Sequence, residues 1–359
     1  MSRHWLFCLT DGYGGYGGIA QFNRDLLGHI AELRPHDRFH VLQRSGTKRP
    51  PADLPPNVVW HAPCSSRVGY ALGVAWLMWR LRPLVFCGHL YMAPLIAMLS
   101  GFLRLPWWLQ LHGIEVWQSP TRRLLVSVGR ANFLTTVSRF TRAELLKRVP
   151  LAPWRVRVLP NTAYPMESPD QVIRQPHMIL SITRLTASER YKGVQRVLAV
   201  LPSLCEMFPD LRYVVAGDGD DLPWLQAEAV RLGVGSHVHF TGRVSADRKA
   251  ELLATAGVFV LPSSGEGFGI VFVEAATAGG HVVAGNRDGS VDALADGALG
   301  MLVDPFDPLA LSAALHTCLV SPPPAGRASA VAERFSPDVV RELLEAFVQQ
   351  MEVAYIFEG

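Results

Sequence analysis

Two glutamates, Glu266 and Glu274, flank the start of a helix in VFVLPSSGEGFGIVFVEAATAGG, residues 258–280. An apolar strand ending at Leu261-Pro262 runs into a loop of small residues, Ser263-Ser264-Gly265-Glu266-Gly267-Phe268-Gly269, and then into the helix. The first amides of a helix have no intrahelical acceptor and its dipole favours an anion, so a diphosphate fits there. A carboxylate accepts hydrogen bonds and suits the diol of a ribose or hexose. Glu266 in the loop and Glu274 about one turn into the helix can present two carboxylates to one bound molecule. The plainer reading is a glycine turn before a helix with a solvated Glu274.

A second glycine loop opens the chain. In DGYGGYGGIAQFNRDL, residues 11–26, Gly12, Gly14 and Gly17 spell G-x-G-x-x-G between an apolar run and an amphipathic helix. A dinucleotide site also needs a carboxylate at the end of the second strand. That strand, FHVLQRSG, ends in Gln43 and Arg44. Arg44 would tolerate the extra phosphate of NADP, so an NADP-dependent oxidoreductase stays open. So do a tight turn without ligand, and a loop in which Gly14, Gly15, Gly17 and Gly18 let a ligand approach the backbone. Asp218-Gly219-Asp220 is literally D-x-D, a metal motif elsewhere. After an inner strand it reads as a turn, with no metal.

The elements that must position these residues alternate. Strands are read at HWLFCLT, FHVLQ, NVVWHA, LVFCGH, WWLQLHG, FLTTVS and VRVLPN, with helices at 18–32, 69–80, 94–103, 121–129 and 139–148. A polar, proline-bearing stretch, AYPMESPDQVIRQPH, reads as a linker. A second alternation follows: MILSITR, RYVVAGDG, HVHFTG, VFVLPS, HVVAGN and MLVDP, with helices at 193–207, 222–232, 245–256 and 270–279, then 307–320 and 336–352. The expectation is α/β: two facing, doubly wound Rossmann-like domains with a cleft between them as the default site. The first spans residues 1–165 and the second 175–335, with 336–359 a helix returning to the first.

Composition narrows the class. The 359 residues are 49% hydrophobic, and 34 Lys and Arg against 31 Asp and Glu leave a formal charge of +3, so a general nucleic-acid binder is not indicated. Five scattered cysteines without a C-x-x-C pair favour free thiols in a reducing compartment. No secretory signal is evident at the N-terminus. Residues 84–103 are uncharged over a membrane-spanning length, but Gly88, His89, Pro94 and Gly101 favour a strand, a loop and an apolar helix.

The segment 258–280 resembles the signature of the group 1 family of retaining glycosyltransferases, which have the two-domain GT-B fold. Glu266, Gly267, Phe268, Gly269 and Glu274 match its paired glutamates around E-G-F-G. The resemblance implies that Glu274 holds the ribose of a nucleotide sugar. Glu266 and the amides of Phe268, Gly269 and Ile270 would hold the transferred sugar and distal phosphate. SITRLTASERYKGV carries the family's Arg184 and Lys192, implied to grip the diphosphate and stabilise its departure, as fixed cations would. Gly217 and Gly219 in YVVAGDGDD and Arg243 in HFTGRVS match donor-side segments. LQLHGIE matches an H-G-x-E in which His112 faces the sugar, with a buried structural histidine as the alternative. Gly15, Gly17 and Gly18 then lie in the family's first-domain glycine loop, on the donor side. His281 replaces a usual proline, and Asp292 stands where many relatives have Glu.

The reaction this implies is front-face transfer of a hexose to a hydroxyl with retained configuration. It needs no resident cofactor, since the nucleotide diphosphate sugar is a co-substrate. DGYGGYGG and DGSVDAL are similar to segments of bacterial polysaccharide mannosyl- and rhamnosyltransferases, which favours GDP-mannose. Arg122, Arg123, Arg130, Arg139, Arg142, Lys147 and Arg148, with Trp107, Trp108 and Trp117 nearby, read either as solvated helices or as a face for an anionic lipid surface. The second reading implies a polyprenol-diphosphate-linked oligosaccharide as acceptor and a cytoplasmic protein peripheral on the inner membrane face. A GT-B epimerase acting on a UDP-sugar, an NADP oxidoreductase and a catalytically silent sugar-nucleotide-binding module remain the alternatives.

Overall fold

The computed structural model describes all residues but 1, 16, 53, 119, 166–172 and 359, with backbone alone over 354–358. The chain divides into two units, Met1–Thr162 with Pro337–Gly359, and Ala163–Ser336.

The first unit is built on a seven-stranded sheet. Its strands are β1 (His4–Leu9), β2 (Arg38–Gln43), β3 (Val58–Trp60), β4 (Leu84–Cys87), β5 (Trp107–Leu111), β6 (Phe133–Thr136) and β7 (Val156–Val158), in the order β3-β2-β1-β4-β5-β6-β7. All pairings are parallel. The helices are α1 (Gly18–Leu33), α2 (Arg67–Leu81), α3 (Ala93–Leu103), a short α4 (Ile114–Trp117), α5 (Arg122–Gly129) and α6 (Arg139–Arg148). Strand side chains alternate between faces. Leu6, Cys8, Val85, Cys87, Trp107 and Leu109 form one core with residues of α2, α3, α5 and α6, so these four helices share one layer.

The second unit is built on a six-stranded sheet. Its strands are β8 (Gln175–Ile182), β9 (Arg212–Ala216), β10 (Val238–Gly242), β11 (Ala256–Leu261), β12 (His281–Gly285) and β13 (Met301–Val303), in the order β10-β9-β8-β11-β12-β13. These too pair in parallel. Its helices are α7 (Val194–Met207), α8 (Leu222–Arg231), α9 (Ala246–Thr255), α10 (Ile270–Thr277), α11 (Ser290–Ala293), α12 (Pro308–Val320) and α13 (Arg327–Phe335). In each unit the strand order reverses beside the first strand, between β1 and β4 and between β8 and β11. Parallel α/β sheets bind ligands at such switch points, outside the carboxyl ends of the strands.

The chain ends in α14 (Pro337–Glu358), which belongs to the first unit. Phe347 closes a row of rings beneath that sheet, 4.8 Å from Trp108, which lies 4.7 Å from Phe86, itself 4.8 Å from Phe7. Arg34 at the end of α1 ties α14 down, bonding Glu352 at 2.8 Å and Glu345 at 3.1 Å.

The α/β, GT-B-type reading of the fold holds, with local corrections. Residues 84–103 are β4, a 3₁₀ turn and α3. Leu84–Cys87 are a fully buried inner strand, and no described helix is long and apolar enough to cross a membrane. Helix α13 was not expected. Its sequence RASAVAERF is amphipathic, with Arg327, Val331 and Phe335 on the buried side, and Phe335 meets Phe268 edge-on at 5.6 Å. Strand β8 begins at Gln175, inside the expected linker 163–177, because Gln175 pairs with Ala256 of β11. Residues 166–172 of that linker lie outside the described part.

Truncating Phe347 to Ala removes a buried ring from two aromatic neighbours, at a cost of about 3–5 kcal/mol. Calorimetry of the full chain is expected to show the first-unit transition lowered by roughly 6–15 °C. An unchanged midpoint would mean that α14 does not stabilise this unit.

Candidate active site

In the second unit, the loops after β8 and β11 meet because these strands are adjacent. The carbonyl of Tyr191 accepts from the amide of Ser264 at 3.0 Å and from Arg196 Nη1 at 3.1 Å, and Arg196 also donates to the Pro262 carbonyl at 2.8 Å. Gly193 sits so close to Pro262 that a Cβ would fall 2.5 Å from its carbonyl oxygen, and its φ of +89° also excludes other residues.

This contact brings Lys192 to Glu266. The ammonium lies 3.1 Å from Glu266 Oε1 and 3.6 Å from Glu189 Oε2, with all three side chains largely buried. Glu189 also holds Arg184 at 2.5 Å, while the Arg184 side chain stays 74% exposed. The structure therefore joins three of the expected residues, Arg184, Lys192 and Glu266, through a fourth that sequence reasoning missed. Only the position of Glu189, between the two cations in the same loop, signalled it.

The E-G-F-G loop is held from below by Asp288, which is 1% exposed. Asp288 accepts from Ser263 Oγ at 2.6 Å, from the Glu266 amide at 2.7 Å and from the Ser290 amide at 2.9 Å. Burial nevertheless pushes its carboxyl above the usual range. Asp288 was also not singled out from the sequence. Gly269 caps α10 in the left-handed conformation, φ +84°, so the chain turns directly into Ile270. The amides of Phe268, Gly269 and Ile270 thus stand at the helix start, where no preceding turn supplies acceptors. The Phe268 ring is buried against Phe335. Glu274 follows one turn on and is paired with Lys249 at 2.6 Å, a partner not foreseen.

Tyr191 covers this loop. A Cβ on Gly265 would come 2.8 Å from its ring. Burial first, then Glu266 and Glu189, push its phenol upward, so it stays protonated.

The remaining donor-side residues line the same sheet edge. Gly217 and Gly219 lie against the carbonyls of Thr183 and Leu185, closing the turn after β9 onto the Arg184 loop. Asp218 and Asp220 bond to the amides of Gly219 and Ala187, each at 2.9 Å, as turn residues do. Arg243 follows β10, two strands from β8, at the edge of the sheet. His281 opens β12 and bonds the Ser321 carbonyl at 3.0 Å, away from this loop end of the sheet. Asp292 lies in α11.

The first unit has its own constellation at its switch point. The glycine loop after β1 contains Gly15, leads through Gly17 as the cap of α1, and Gly18 begins the helix. Gln43 clamps it from the end of β2, with Nε2 on the Tyr13 carbonyl at 3.0 Å and Oε1 accepting from the Tyr13 amide at 3.3 Å. The side chain that in a dinucleotide site would be a carboxylate for ribose is here a buried amide bonded to the loop itself. Arg24 Nη1 adds a bond to the Gly12 carbonyl at 2.6 Å. After β4, Gly88 accepts at its carbonyl from His112 Nε2 at 3.0 Å. A carbonyl only accepts, so Nε2 carries the proton and a neutral ring leaves Nδ1 as an acceptor. Burial pushes the His112 ring down to about 4, keeping it neutral near pH 7. Glu115, 4% exposed, fixes the backbone by accepting from the His112 amide at 2.5 Å.

One expectation fails. Trp107 and Trp108 are 2% and 0% exposed and belong to the core, so they form no surface with the basic residues of α5 and α6. Trp117 is half-buried against Phe140. Lys147 and Arg148 are paired with Glu144 at 2.5 and 2.6 Å.

Two family models match the chain. "Glycosyl transferases group 1" covers residues 168–334 and "Glycosyltransferase Family 4" covers residues 16–163. The phosphatidyl-myo-inositol mannosyltransferase of Mycobacterium tuberculosis is 39% identical over 142 residues, which are 39% of this chain and 36% of that protein. The GDP-mannose-dependent alpha-(1-6)-phosphatidylinositol monomannoside mannosyltransferase of Mycolicibacterium smegmatis is 31% identical over 232 residues, 59% of this chain and 60% of that protein. The chain thus matches between about one third and three fifths of the length of these relatives. Among solved structures, Anabaena Alr3699/HepE in complex with UDP and glucose aligns over 97% of this chain and 100% of its own, at a TM-score of 0.78 and 18% identity. WaaG, a glycosyltransferase involved in lipopolysaccharide biosynthesis, aligns over 96% and 99% at a TM-score of 0.67 and 21% identity. At such identities these two show the fold.

With His112 held down to about 4, its ring is expected to stay neutral in an NMR titration between about pH 7.5 and 5.5. A midpoint close to that of a free imidazole would remove the buried, carbonyl-bonded arrangement.

Proposed function

The chain belongs to the group 1 glycosyltransferase family, and from that premise we propose that it moves a hexose, mannose first among candidates, from a nucleotide diphosphate sugar to a hydroxyl of a glycan or lipid-linked oligosaccharide. The observation that carries the proposal is the Lys192–Glu266 contact at the start of α10, with Arg184 joined to it through Glu189.

In this reading the diphosphate competes with Glu189 for both cations. The acceptor oxygen bonds to the anomeric carbon as the bond to the phosphate oxygen breaks on the same face, which retains the configuration. The acceptor proton passes to the departing phosphate. Arg184 and Lys192 offset the charge that gathers there, and such fixed electrostatics supply much of a catalyst's effect. Glu266 positions the sugar and Glu274 the ribose. His112, neutral, accepts a hydrogen bond from a sugar hydroxyl at Nδ1. The nucleotide sugar is the co-substrate, and the reading uses no resident cofactor or metal.

Relatives named as mannosyltransferases, one of them GDP-mannose-dependent, support mannose and a guanine nucleotide. Assembly of cell-surface polysaccharide on the cytoplasmic side fits the five free cysteines. The clamp of Gln43 on the glycine loop argues against the NADP reading.

Thermal shifts with GDP, UDP, ADP, TDP, GDP-mannose, UDP-glucose and NADPH test this, because a ligand of the folded form raises its midpoint. The expected result is a selective shift by GDP and GDP-mannose that Glu274→Ala abolishes. A shift with NADPH alone would overturn the proposal, and a selective UDP response would replace its guanine donor.

A further inference from the structure

We propose that the solvent side of α2, α3 and α5 is a docking face for an anionic lipid bilayer. This stands independently of the transfer chemistry.

The three helices lie in one layer over the first sheet, with α3 packed against both α2 and α5. Their inner sides fill the core. Their outer sides are apolar where solvent-facing helices are ordinarily polar. On α2, Leu72, Trp76 and Trp79 are 65%, 57% and 67% exposed at spacings that place them on one stripe. On α3, Met98 and Phe102 lie one turn apart at 56% and 85%, and on α5 Val126 is half exposed. Single exposed apolar side chains are commonplace, but large ones continued across three adjoining helices mark an interaction site.

Charge selects the partner. No acidic residue occurs between Asp53 and Glu115, nor between Glu115 and Glu144, so α2, α3 and α5 carry none. Glu115 itself is buried. Exposed basic residues rim the face instead: Arg80, Arg82, Arg104, Arg122 and Arg123. Arg82 and Arg104 terminate α2 and α3 in left-handed conformations, φ +45° and +54°, where glycine is the unstrained choice. Arg82 also donates to the Leu103 carbonyl at 2.9 Å, which joins these two helix ends. Tryptophan between apolar and polar zones, with arginine around it, is the composition of an element lying in a lipid interface, and a cytoplasmic leaflet is negatively charged. The aromatic residues of this face are Trp76, Trp79 and Phe102, not the buried Trp107 and Trp108.

The test is flotation of the full-length protein with vesicles of phosphatidylcholine, with and without phosphatidylglycerol. Flotation is expected only with phosphatidylglycerol and is expected to weaken with salt. The double variant Trp76→Ser, Trp79→Ser and, separately, Phe102→Ser should each lower binding about tenfold or more, since the apolar insertion is lost. Arg122→Glu with Arg123→Glu should do the same at low salt. Each variant should keep the parent's thermal midpoint and its nucleotide response, which excludes unfolding. No binding to phosphatidylglycerol vesicles, or variants that bind like the parent, would overturn the proposal. So would sedimentation showing a dimer that the tryptophan variants dissolve, because a second copy would then cover this face.

Discussion

A lysine ammonium held between two carboxylates, and kept there by two backbones too close for a side chain, is the constraint on which the second unit depends. Charges removed from water need close partners. Lys192 has Glu266 on one side and Glu189 on the other. The adjacency of β8 and β11 supplies the neighbourhood, the missing Cβ of Gly193 lets the loops touch, and the buried carboxylate of Asp288 fixes the backbone of Glu266 from beneath. Together they set a cationic pair and a carboxylate beside the free amides opening α10. That combination suits a sugar diphosphate better than either feature alone.

The first unit solves a similar problem with different groups. Its switch point holds a glycine loop, and the loop is organised by Gln43 across from β2, by Asn23, which donates to the Asp11 carbonyl at 2.9 Å, and by the Arg24 guanidinium on the Gly12 carbonyl. Beside it His112 is neutral because it is buried, and one ring nitrogen is committed to a backbone carbonyl.

Much of this was legible in the sequence. The strand and helix alternation emerged because parallel strands, buried on both faces, are nearly continuous apolar runs such as HWLFCL and AGVFVL. The E-G-F-G segment, Arg184 and Lys192 stood out by type and spacing. Their connections did not. Glu189 and Asp288 look like ordinary surface acids until the fold places one against two cations and buries the other. Lys249 reaches Glu274 only because α9 lies beside α10. The tryptophans misled for a related reason. Trp107-Trp108 occupies an inner strand, where even large polar-tipped rings are buried with their N–H groups bonded to the Arg130 carbonyl and to Thr135. Helical periodicity alone did not single out Trp76 and Trp79, since α2 is apolar on nearly all sides.

In the proposed reaction Lys192 acts on the departing diphosphate rather than merely holding the loop together. Steady-state transfer from GDP-mannose by Lys192→Ala and the parent, with GDP affinity measured on both, separates the two. The variant's kcat is expected to be lower by about 10²–10³-fold, the scale for removing one fixed stabilising group, with a much smaller change in KM. Unchanged kcat in a variant that still binds GDP would contradict it.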